Sequence, residues 1–247
     1  MAQDSRVQQG YLLIADISGY TSFMTGSEFE HAQAIIEELT KLVVSHARLP
    51  MRLVKLEGDA VFCYIPAGNL TEGDRLLDLI EACYYDFAGY LADMKSETTC
   101  PCAACTNMHQ LDLKFFAHFG QYVVQRVAGT AEDLAGPDVI LVHRLMKNCV
   151  EEACGMRAYA LLTAPCLARI GQLPELQKHR ETYEHIGDVN CSLHDLRAAR
   201  EAMKEVSPRG VDVPVRVRSR SCRSPLQNLQ QRGIGLATVK YHRLGKL

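Results

Sequence analysis

Leu12-Leu13-Ile14-Ala15-Asp16-Ile17-Ser18-Gly19-Tyr20-Thr21 is an apolar run that closes on an aspartate and then a glycine. Such a run reads as a buried strand with its carboxylate at the rim of a sheet. A second stretch has the same form: Val54-Lys55-Leu56-Glu57-Gly58-Asp59-Ala60-Val61-Phe62. Two carboxylates on neighbouring strands suit hard cations. Mg²⁺ and Mn²⁺ prefer oxygen ligands and fill their other positions with water and substrate phosphates. The pattern predicts a metal-bound polyphosphate, with Asp16 and Asp59 as the metal ligands.

The pattern around these stretches predicts the elements. A first strand covers 10–16. A helix follows from Glu28, where Ser27-Glu28-Phe29-Glu30 fits a capping box with Ser27 as N-cap. Ile35, Ile36, Leu39, Leu42 and Val43 form one face at helical spacing, and Pro50 ends that helix. Strands over 51–58 and 60–65 make a hairpin around Gly58-Asp59. A second long helix begins near Thr71. Leu111, Leu113, Phe115 and Ala117 then alternate with Asp112, Lys114, Phe116 and His118, as in a strand, so His118 is expected to be a packed strand histidine. Gly120 is expected to turn the chain into a further strand over 121–127. Ala131-Glu132-Asp133 reads as polar loop, 138–147 as helix, and 179–186 with 189–193 as a last hairpin. This order predicts an α+β sandwich with helices on a mainly antiparallel sheet. The domain spans 8–196; a C-terminal helix and a flexible basic tail fill 197–247.

The composition is that of a globular protein: 247 residues, 47% hydrophobic and 23% charged. No apolar run approaches the ~18 residues needed to span a bilayer. The N-terminus lacks the basic and apolar segments of a secretory signal. Ten cysteines without such a signal point to a reducing cytoplasm and to free thiols or metal ligands. A cytoplasmic location and no membrane partner are expected. From Ser207 to Leu247 nine Lys/Arg face one acidic residue, so against the net −2 charge the first 206 residues carry about −10. The tail lacks the interleaved aromatics of a nucleic-acid contact, so none is expected there.

Cys100-Pro101-Cys102-Ala103-Ala104-Cys105 with His109 gathers four soft or borderline ligands. Thiolate and imidazole suit a structural Zn²⁺. The spacing C-x-C-x2-C-x3-H is not that of a standard finger, and free or redox-active thiols are the alternative. The other cysteines read mostly as small core residues.

Four stretches together resemble the catalytic domain of the class III adenylate and guanylate cyclases. They are Ala15–Thr21, Lys55–Phe62, Phe116-Ala117-His118-Phe119-Gly120-Gln121-Tyr122-Val123, and Asp133-Leu134-Ala135-Gly136-Pro137-Asp138-Val139-Ile140-Leu141-Val142-His143-Arg144-Leu145. The chain is also similar to a bacterial branch of that superfamily carrying the Cys-Pro-Cys-Ala-Ala-Cys insert. The resemblance implies a ferredoxin-like, palm-type sandwich over 8–196. It implies that Asp16 and Asp59 hold Mg²⁺ or Mn²⁺ and that the backbone of Ile17, Ser18 and Gly19 cradles phosphate. Lys55 and Asp133 match the adenine-reading pair, which favours ATP. Arg144 matches the arginine that meets charge on the α-phosphate. The family's sites lie between two such domains, which implies a homodimer. The implied reaction forms a 3′,5′-cyclic nucleotide, with cAMP favoured, and pyrophosphate. Two positions depart from the family. Ile140 stands where an asparagine orients the ribose, and Glu184 where a lysine grips phosphate. They keep open a rival reading, a catalytically degenerate nucleotide-binding or dimerisation module in signalling.

Overall fold

β1 (Gln8–Ser18) is buried at every residue from Gly10 onward. A strand that is apolar on both faces belongs in the middle of a sheet covered on both sides. The computed structural model, which describes residues 6–70, 76–127, 131–170 and 176–206, places it there. β2 (Arg52–Glu57) and β3 (Ala60–Pro66) form the expected hairpin. β3 pairs antiparallel with one edge of β1, and β4 (Asp112–Val127) with the other. β6 (Tyr159–Thr163) adds to β4 in parallel. β8 (Gly187–Asp195) and β7 (Gln177–Tyr183) complete the order β2-β3-β1-β4-β6-β8-β7. β5 (Ala131–Ala135) pairs with the far half of β4. The sheet is mostly antiparallel and the fold is α+β, as predicted.

Side-chain alternation divides the core. Leu12, Ile14, Ala60, Phe62 and Phe116 meet Val139, Val142 and Leu145 of α5 (Pro137–Leu145). Leu13, Ala15, Val61, Cys63 and Phe115 point to the other face, against Val43 of α2 (Phe29–His46) and Ile80 and Cys83 of α3 (Leu76–Glu97). Completely buried phenylalanines such as Phe62, Phe87 and Phe116 each contribute about 1.5–3 kcal/mol by leaving water. The chain continues from β8 directly into α8 (Leu196–Val206). Arg197 there donates through Nε to Asp112 Oδ2 at 2.8 Å, and Leu196 is completely buried. The expected start of the second helix near Thr71 and the basic tail over 207–247 lie outside the described residues. Among the described residues no helix is long and apolar enough to cross a membrane.

The structure corrects the sequence reading at several places. Gly120 is not a turn: β4 runs through it, opposite Gly10 of β1. A Cβ at Gly120 would overlap the side chain of Asp138, whose carboxylate accepts the Gln121 amide at 2.6 Å. The glycine lets the start of α5 approach the sheet closely. Ala131–Ala135 is a strand because β4 offers it a free edge. β6 was not predicted, since a five-residue apolar run has no period that separates strand from buried helix. The capping box does not form. Glu28 is the N-cap residue of α2 without a side-chain cap bond, and Ser27 Oγ is buried without a partner. The Glu28 carboxylate instead accepts the Ala104 amide of α4 (Ala103–Asn107) at 3.1 Å. The helix starts one residue later than the box requires, and its N-cap side chain is held by a tertiary partner.

Candidate nucleotide and metal site

Strand register brings the two aspartates together. Asp16 lies opposite Ala60 on β3, so the Gly58-Asp59 turn sits over the end of β1. Burial first, and then the negative charge of Asp16, push the Asp59 carboxyl up to about 6; a hydrogen bond between the two acids adds to the shift. Two acids held this close, one of them costly to ionise, offer hard oxygen donors whose summed negative charge a single neighbouring cation does not cancel. That donor set fits a divalent cation.

Sequence reasoning missed the lysine beside them. Asp16 also lies opposite Lys114 of β4, whose Nζ is 3.2 Å from Asp16 Oδ2. Its ammonium lies 5.9 Å from the centre of the Phe116 ring. Alternation had put Lys114 on the face opposite Leu113, but only the β1–β4 register names its partner. Both side chains are largely buried, so removing the cation strands Asp16. Lys114→Met should cost the metal-free protein about 3 kcal/mol. Mn²⁺ should recover most of that loss, giving a larger thermal shift than in the wild type. Melting curves with and without Mn²⁺ decide this; an equal metal response in both proteins refutes the role given to Lys114.

The loop after β1 is shaped by its neighbours. Ile17 and Ser18 are buried, and Ser18 Oγ donates to the Arg157 carbonyl at 2.8 Å. Gly19 adopts φ 83°, a left-handed conformation that suits glycine, and opens α1 (Tyr20–Thr25). A Cβ there would lie 2.9 Å from Arg157 Nη2, which itself donates to the Gln110 carbonyl at 2.8 Å. Arg157 is a second cation that the sequence did not single out. It also forms an ion pair with Glu151 at 3.4 Å.

Lys55 and Asp133 meet in an ion pair. Lys55 Nζ is 2.9 Å from Asp133 Oδ2 and 3.1 Å from Glu57 Oε1. The Asp133 hydrogen bond raises the Lys55 ammonium above its ordinary value. Burial raises the Asp133 carboxyl, but Lys55 and the Leu134 amide outweigh it and hold the group low. Glu57 also lies 3.2 Å from His143 Nε2. His143 Nδ1 bonds the Val139 carbonyl at 2.7 Å, and its ring packs edge-on against Phe62. Glu57 and His143 were absent from the expected site; α5 packing on the sheet brings them in.

Other expected residues lie elsewhere. Val139 and Val142 of α5 face the core, whereas Arg144 is exposed, and so is Ile140 one turn before it. Glu184 is 88% exposed in the turn between β7 and β8. His118 is buried, with Nδ1 bonded to Thr163 Oγ1 at 2.8 Å. His109 does not join the cysteines: its Nδ1 bonds the Thr106 carbonyl at 2.8 Å. The histidine that meets Cys100, Cys102 and Cys105 is His31 of α2. Cys149, His179 and Glu181 also converge, but there Glu181 accepts from the Cys149 amide and bonds His179 at 2.6 Å. Those donors already satisfy the carboxylate.

The arrangement has relatives. The chain is 38% identical over 163 residues to the uncharacterized protein Rv2561/Rv2562 of Mycobacterium tuberculosis, covering 64% of this chain and 72% of that one. This chain belongs to the same family as that mycobacterial protein. Residues 36–154 match a family described as protein of unknown function, DUF2652. Among solved structures, a bacterial light-regulated adenylyl cyclase superposes with TM-score 0.56 at 11% identity, over 83% of this chain. The chain spans 58% of that cyclase's length. The adenylyl cyclase CyaB from P. aeruginosa gives 0.55 at 16% identity, over 77% of this chain and 95% of the other. The guanylyl cyclase Cya2 gives 0.54 at 15%, over 76% and 92%. At these identities the likeness speaks for the fold: the domain has the fold of the class III cyclase catalytic domains.

Proposed function

We propose that this protein is a Mg²⁺- or Mn²⁺-dependent nucleoside-triphosphate-binding domain of the cyclase type, with ATP as its nucleotide. The convergence of Asp16 with an Asp59 whose ionisation is disfavoured carries the reading. Divalent cations bound by these acids would neutralise the triphosphate and acidify a ribose 3′-hydroxyl. The chain's own groups do the rest. The backbone from Ile17 to Gly19 receives phosphate oxygens. Lys55 donates to adenine N1, while Asp133 accepts from the N6 amino group. Their ion pair supports this assignment, since the two groups already lie within reach of one base edge. Arg144 is exposed, as an arginine serving the site of a second copy must be. Its guanidinium would meet charge developing on the α-phosphate. The reaction so supported is closure to a 3′,5′-cyclic nucleotide with release of pyrophosphate, in a cytoplasmic homodimer.

A second reading has its own support. Ile140, on the exposed side of α5, cannot hydrogen-bond a ribose, and Glu184 brings negative charge where phosphate needs a cation. Losing one positioning group costs roughly 10²–10³ in rate. On this reading the domain binds nucleotide and signals by assembly. Incubation of the purified protein with each of the four NTPs and Mn²⁺, followed by mass spectrometry of the products, separates the two. Cyclic AMP supports the enzyme. Saturable ATP binding without product supports the module, and no Mn²⁺-dependent nucleotide binding refutes both.

A further inference from the structure

Three cysteines of one short segment and a histidine far away in sequence meet at one point. His31 Nδ1 lies 3.2 Å from Cys102 Sγ, 3.7 Å from Cys100 Sγ and 3.9 Å from Cys105 Sγ. All four candidate ligand atoms lie within 4.8 Å of one another. The three cysteines are free thiols, not disulfides. A single ring nitrogen makes one good hydrogen bond, so hydrogen bonding accounts for one of the three approaches. A tetrahedral metal accounts for all of them. Bonds of about 2.3 Å to sulfur and 2.0–2.1 Å to nitrogen put the ligands about 3.6 Å apart for each sulfur–nitrogen edge. The three observed separations bracket that value.

The surrounding backbone holds the sulfurs in place. Cys102 is the N-cap residue of α4, and its sulfur accepts the Cys105 amide at 3.4 Å. That contact fixes the sulfur and the first turn of the Cys-x2-Cys segment. Glu28, three residues before His31, holds the Ala104 amide of the same segment. The polypeptide therefore positions the four groups from both sides. The contrast with Cys149, His179 and Glu181 is chemical: a carboxylate among donors is satisfied there, whereas three sulfurs around one imidazole are not.

We infer that His31, Cys100, Cys102 and Cys105 form a closed Cys₃His site for a structural Zn²⁺. The metal joins the first turn of α2 to the connection between α3 and β4. That connection includes Gln110, whose carbonyl holds Arg157 beside Gly19. The zinc thus supports the wall behind the loop that follows β1, and it does so whether or not the domain turns over nucleotide.

The test is metal analysis of protein purified without chelators from zinc-supplemented cells. Wild type should carry about one zinc per chain. His31→Ala, and Cys102→Ser with Cys105→Ser, should each fall below about one tenth of that, while His109→Ala keeps its zinc. His31→Cys, which offers four thiolates, should retain metal and shows that loss in His31→Ala is loss of a ligand rather than of the fold. Cobalt in place of zinc should give the thiolate-to-metal charge-transfer band and the intense d–d bands of a tetrahedral site. Wild-type protein that holds neither zinc nor cobalt overturns the inference. So does a protein in which His109→Ala loses the metal and His31→Ala keeps it.

Discussion

Asp59→Asn should raise the melting temperature of the metal-free protein by a few degrees at pH 8 and abolish the stabilisation that Mn²⁺ gives the wild type. The sign follows from the shift. Burial and the charge of Asp16 raise the Asp59 carboxyl to about 6, above its ordinary range. Between the two values the folded chain holds a proton that the unfolded chain has released. The metal-free fold therefore loses stability as pH rises from about 4 through about 6 and is at its disadvantage above that. Asparagine keeps the size and removes the charge, so the variant gains at pH 8 and converges with wild type near pH 4. The same change removes a metal ligand. Any cyclic product should fall by roughly 10²–10³. Melting curves at both pH values, with and without Mn²⁺, read the first two effects. A Mn²⁺ shift that survives in the variant would falsify the assignment of Asp59 as a ligand.

Mixing two dead proteins should restore activity. If the enzyme reading holds, Asp59→Asn and Arg144→Ala are each inactive as homodimers, because each site lacks one of its two essential groups. In a heterodimer one site lacks both and the other lacks neither. Random exchange makes half of the dimers heterodimers, each with one intact site of two, so about a quarter of wild-type activity should return. Activity should also decline on dilution as the dimer dissociates. Native mass spectrometry confirms that heterodimers form. Heterodimers that stay inactive reject a site shared between chains, and so does a monomer with full specific activity.

The sequence by itself determined the scaffold and the acids. Apolar runs of strand length, the Gly58-Asp59 turn and the helical faces of α2, α3 and α5 are local patterns. They hold because burial follows the 2-residue and 3.6-residue periods wherever a face is covered. Asp16 and Asp59 were legible because each is written into its own strand end. What only the tertiary structure decided are the pairings. Lys114 meets Asp16 through the β1–β4 register. Glu57 meets His143 because α5 packs on the sheet. Arg157 reaches Gly19 from a distant loop. His31, not His109, faces the cysteines because α2 crosses the connection before β4. Gly120 is a place of close approach, not a turn. In each case the partner lies on another element, and spacing along the chain carries no record of which face will be brought near.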